Sequence, residues 1–107
     1  MIRKKCEVQF INEKVERAFN NLDDSNLKRF IERAICDIKE NPFCGIQIPK
    51  RQIPQGYIQK FNVHNAWKYN LPNAWRLIYS IEGGNISILT ILLEWMDHKE
   101  YERRFGY

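Results

Sequence analysis

The stretch from Trp67 to Tyr79 constrains this chain more than any other. It reads as two strands joined by a tight turn, and its side chains choose the register. A three-residue loop, Pro72-Asn73-Ala74, sets Leu71 opposite Trp75, Tyr69 opposite Leu77 and Trp67 opposite Tyr79. Those pairs form one apolar face, while Lys68, Asn70 and Arg76 fall on the other. A one-residue slip would put the aromatic residues in water, so this pairing is strongly specified.

The same stretch lies in an interval without acids. Between Glu40 and Glu82 there is no Asp or Glu, yet Lys50, Arg51, Lys60, Lys68 and Arg76 all occur there. Outside that interval acids and bases nearly balance, so the formal net charge of +4 arises here. Cations without local carboxylates on a sheet face suit a polyanion better than a small neutral substrate. Lys50, Arg51, Lys60 and the polar Asn70 are candidate contacts to such a polyanion beside Arg76 and Lys68.

At 107 residues the chain is expected to form one domain, 1–107, with a single core. Three cysteines, Cys6, Cys36 and Cys44, with no Cys-x-x-Cys pair fit neither a disulfide framework nor a zinc ribbon. They point to thiols in a reducing cytosol, and neither a metal nor a cofactor is expected. The opening residues lead into a strand pattern rather than a secretory signal, and no apolar run approaches the roughly 20 residues of a bilayer span. The expectation is a soluble cytoplasmic protein with no membrane partner.

Cys6 to Ile11 is short and β-prone, with Val8 and Phe10 alternating against Glu7 and Gln9. Asn12 is a good N-cap, and Val15, Ala18, Phe19 and Leu22 then share a helix face. Asp23-Asp24-Ser25 breaks that helix and offers the next cap. Leu27, Phe30, Ile31, Ala34, Ile35 and Ile38 follow three-four spacing until Asn41-Pro42 stops them. Phe43 to Asn65 is aperiodic and rich in turn residues, so it reads as a long loop. Glu82-Gly83-Gly84-Asn85 predicts a second hairpin turn, and Asn85 to Met96 a central strand covered on both faces. His98, Tyr101 and Phe105 share a face of a short terminal helix ended by Gly106. The predicted fold is α+β: a strand, an antiparallel helix pair, a long loop, a three-stranded antiparallel meander and a short C-terminal helix. The helices cover one face of a four-stranded sheet.

This element order, with Lys68-x-x-Leu71 leading to Arg76-Leu77-Ile78-Tyr79 and a terminal His98-Lys99-x-Tyr101-x-Arg103 segment, resembles the RelE/ParE superfamily of type II toxin–antitoxin toxins. The resemblance spans nearly the whole chain. Its RelE-like branch implies a toxin that enters the ribosome and cuts bound mRNA, inhibiting translation until a cognate antitoxin protein sequesters it in a hetero-oligomer. By that resemblance Arg76 matches an arginine at the scissile phosphate, Lys68 a lysine on the preceding strand, and Tyr101 a tyrosine that stacks on or activates the substrate. Asn70 stands where the best-known member has a second lysine, and Trp95 near its second arginine. His98 lies in the region where other branches use a histidine.

Such an endoribonuclease needs no metal. The 2′-hydroxyl attacks the neighbouring phosphorus, which requires a proton acceptor, stabilisation of added negative charge and a proton for the departing oxygen. A guanidinium grips two phosphate oxygens at once, which assigns charge stabilisation to Arg76. Lys68 falls diagonal to it, and His98 titrates nearest neutrality. Arg76, Lys68, Tyr101 and His98 are the candidate catalytic set. Two alternatives stay open: a ParE-like DNA gyrase inhibitor without nuclease activity, and a non-toxic relative retaining only antitoxin binding.

Overall fold

A computed structural model of the chain describes residues 5–23, 25–83 and 87–106. Strand β1 (Lys5–Phe10) is followed by helices α1 (Glu13–Asn20) and α2 (Ser25–Glu40). Asn12 caps α1 by accepting a hydrogen bond from the Val15 amide. Leu27, Ile31, Ala34 and Ile38 bury the inner stripe of α2. Asp24, and with it part of the predicted second cap, lies outside the described residues.

The predicted long loop is largely structured. It contains a helical turn at Pro42–Cys44, the two-residue strand β2 (Ile46–Gln47), another turn at Lys50–Gln52 and helix α3 (Gln55–Phe61). Each element is too short to show a period, and Gly45, Pro49, Pro54 and Gly56 punctuate them, so the sequence conceals them. Strands β3 (Trp67–Asn70), β4 (Trp75–Gly83) and β5 (Ser87–Asp97) lead into helix α4 (His98–Phe105). Trp67 pairs with Tyr79, Tyr69 with Leu77 and Asn70 with Arg76, the register that the alternation of side chains dictates. Part of the predicted Glu82–Asn85 turn lies outside the described residues.

The described strands form one mixed sheet in the order β1-β5-β4-β3-β2. It is five-stranded rather than four-stranded, because β2 adds to β3 from within the segment read as loop. β1 runs parallel to β5, which is thereby an interior strand between β1 and β4. The expectation of helices on one face also needs correction. The helix pair covers one face through Leu27, Ile31, Ala34 and Ile38 against Leu77, Tyr79 and Leu92. The other face is covered by α3 and α4, whose Tyr57, Tyr101 and Phe105 pack with Ile78, Leu93 and Met96. No helix among the described residues is long and apolar enough to cross a membrane.

A bulge in β5 decides which residues reach which face. Ile78 pairs with Glu94 but Tyr79 pairs with Leu92, leaving Leu93 as the extra residue. Beyond it the alternation is inverted. Trp95 joins the helix-pair side, edge-on to Phe19, while Glu94 and Met96 turn towards α3 and α4.

Candidate functional site

Lys68 and Arg76 project from neighbouring strands onto the face that α4 crosses, because each alternates with the apolar residues of its strand. Helix α4 starts at an Asp97 N-cap, whose carboxylate accepts from the Glu100 amide at 2.9 Å, and ends at Gly106, which takes the left-handed conformation at φ 77°. Between these stops, Tyr101 and Phe105 point into the core and stack at 4.7 Å between ring centroids. Both sheet cations lie against Tyr101. The Lys68 ammonium sits 4.7 Å and the Arg76 guanidinium carbon 5.9 Å from its ring centroid. Cation–aromatic contacts of this kind are worth about 0.5–2 kcal/mol. They seat both positive charges at the N-terminal half of α4.

His98 completes the cluster from the first position of α4. Arg76 Nη2 is 3.3 Å from His98 Nδ1, and Arg76 Nη1 donates to the Trp75 carbonyl at 3.2 Å. Arg76 Nε is buried without a hydrogen-bond partner. The His98 Nε2 atom lies 2.5 Å from a Glu102 carboxylate oxygen, one helical turn on.

No carboxylate pairs with Arg76 among the described residues, and the nearby acids show why. Glu94, turned inward by the bulge, is held by Arg104 and by the Tyr57 hydroxyl. Glu100 pairs with Arg103 and Arg104, and the Arg103 guanidinium holds its carboxyl below the usual range. Glu102 is taken by His98. Burial, and then the Glu94 carboxylate, raise the Tyr57 hydroxyl far above an ordinary phenol, so it stays a donor to Glu94.

The structure thus brings together Arg76, Lys68, His98 and Tyr101. Asn70 joins them at the rim, exposed and opposite Arg76. Tyr101 is 2% exposed, which makes its ring a platform beneath the cations rather than a surface open to a base. Lys50, Arg51 and Lys60 lie elsewhere. Arg51 lines a groove of about 580 Å³ with Arg104 and Gly106, and Lys60 a groove of about 560 Å³ with Lys14, Tyr57 and Glu94. Lys50 is exposed in the turn before Arg51.

Glu102 is a member of the cluster that sequence reading missed, although its four-residue spacing from His98 on a predicted helix is a legible signal. Comparison with known proteins finds no matching family model, no similar curated protein and no similar solved structure.

Proposed function

We propose that this chain is a RelE/ParE-type toxin that cuts mRNA on the ribosome with its own side chains, acts in the cytoplasm, and is held in check by an antitoxin protein. The observation that carries this reading is the Arg76 guanidinium. It has no carboxylate partner among the described residues, its Nε is buried and unpaired, and an imidazole stands 3.3 Å away. A buried donor without an acceptor costs about 1–3 kcal/mol, and the guanidinium faces an imidazole through Nη2 rather than a carboxylate, so a phosphate would supply the anion it lacks. Arg76 and Lys68 would then hold the scissile phosphate and stabilise its growing charge. His98 would take the 2′-hydroxyl proton as the 2′-oxygen bonds to phosphorus and the bond to the 5′-oxygen breaks. The products are a 2′,3′-cyclic phosphate and a 5′-hydroxyl.

One observation favours the non-cleaving alternatives, a gyrase inhibitor or a relative that only binds antitoxin. The buried ring of Tyr101 removes the stacking surface expected at a nuclease site. The test is to express the chain alone, map mRNA 5′ ends and assay gyrase supercoiling. Codon-phased cuts that weaken by about a hundredfold or more in Arg76→Ala support the nuclease. Intact mRNA with inhibited supercoiling assigns the gyrase inhibitor, and normal growth with neither effect assigns the antitoxin-binding relative.

A further inference from the structure

The contacts of His98 determine its tautomer. A guanidinium carries only donors, so the 3.3 Å approach of Arg76 Nη2 requires Nδ1 of the imidazole to be the acceptor and to carry no proton. The ring proton of the neutral imidazole then sits on Nε2, which faces the Glu102 carboxylate at 2.5 Å. Glu102 is itself placed by α4, one turn beyond His98 and on the same side of the helix. Both side chains are about half exposed, at 50% and 48%, so the pair is open to solvent while its Nδ1 end faces the arginine on the sheet.

We infer that Glu102 is a positioning residue: by accepting from Nε2–H it holds His98 with the Nδ1 lone pair aimed at Arg76, making Nδ1 the atom that receives the proton. This rests on the nuclease reading only for its catalytic consequence; the tautomer follows from the geometry. In the proposed reaction a phosphate drawn onto Arg76 would take over the guanidinium's donors and free Nδ1. The 2′-hydroxyl proton passes to Nδ1 as the 2′-oxygen bonds to phosphorus. The bond from phosphorus to the 5′-oxygen breaks, and that oxygen takes a proton from water. The resulting imidazolium keeps its Nε2–H on the Glu102 carboxylate, which stabilises the positive charge formed in the step. The neighbouring acid Glu100 cannot substitute, since it is engaged by Arg103 and Arg104.

The experiment is nitrogen-15 NMR of the His98 ring at a pH where it is neutral, in the full chain and in Glu102→Ala and Glu100→Ala variants, followed by single-turnover cleavage on ribosome-bound mRNA. The unaltered chain should show only the Nε2–H tautomer. Arg76 still faces Nδ1 in Glu102→Ala, so the tautomer should hold there while the Nε2–H resonance loses its carboxylate acceptor and moves upfield, and Glu100→Ala should leave that resonance as it was. Cleavage should fall about ten- to a hundredfold in Glu102→Ala, with mRNA binding unchanged. An Nδ1–H tautomer in the unaltered chain, an unmoved Nε2–H resonance in Glu102→Ala, or an equal shift in Glu100→Ala overturns the inference. If the unaltered chain fails to cleave, the nuclease reading falls, while the ring spectra still decide the role of Glu102.

Discussion

Arg76 and Gly45 show how differently single residues carry this structure. The guanidinium of Arg76 lies partly buried with an unsatisfied Nε, so removing it abolishes a desolvation cost along with its contacts. Arg76→Ala should therefore leave the melting temperature within a few degrees of the parent, or slightly above it, while weakening the proposed cleavage by about a hundredfold or more. A large thermal loss would assign the arginine to the fold instead. Gly45 is the opposite case. A Cβ there would lie 2.5 Å from the Tyr79 hydroxyl oxygen and 2.6 Å from the Lys68 carbonyl oxygen. That hydroxyl accepts from the Gly45 amide and donates to the Pro42 carbonyl, pinning the start of the connecting segment to the sheet. Gly45→Ala should cost about 1–3 kcal/mol, read by chemical denaturation. The backbone of Lys68 would shift with it, so proposed cleavage should also weaken.

At the scale of elements, the last helix decides whether the cluster exists, since α4 supplies both His98 and the Tyr101 platform. Its N-cap is a single carboxylate–amide bond from Asp97, adjacent to His98. Asp97→Ala should lower stability by about 1 kcal/mol and fray the first turn, which holds His98. A denaturation midpoint lowered without a change in slope would identify the cap as the cause. The sequence made some elements legible and concealed others for physical reasons. The β3–β4 register followed from alternation because an aromatic face cannot tolerate a slip, and that alternation also put Lys68 diagonal to Arg76. The helix pair followed from three-four spacing. Strand β2 and helix α3 were hidden by their brevity among glycines and prolines. The bulge at Leu93 was hidden because Leu and Ile occupy both faces of β5, so an inverted alternation leaves no mark on the pattern. The buried ring of Tyr101 was equally opaque, because spacing alone does not tell a residue packed beneath two cations from one displayed above them.

Taken as a whole, the molecule is fastened by phenols that hydrogen-bond across its layers. Tyr57 reaches Glu94, Tyr69 reaches Asp37, and Tyr79 reaches the Pro42 carbonyl, each as a donor. Each is raised above the ordinary phenol value. For Tyr57 and Tyr79 burial is the main cause, and for Tyr69 the bond to Asp37 pushes it up to about 12. Because the folded state favours the neutral hydroxyls, their contribution is complete below about pH 10, where unfolded tyrosine titrates, and is lost as pH rises through about 12. Thermal melts should be insensitive to the phenols up to about pH 10 and then fall steeply, with phenolate absorbance appearing as the fold is lost. Phenolate formation near pH 10 in a still-folded chain would contradict this. The parallel seam between β1 and β5 has a further consequence for biosynthesis. It joins residues 5–10 to residues 87–92, so the sheet can close only after residue 92 has been made. His98 comes later still, and a nascent chain emerging from a ribosome therefore holds Lys68 and Arg76 without their imidazole. Under the proposed nuclease reading, the cluster that would hold a phosphate stays incomplete until the segment that carries His98 has left the ribosome.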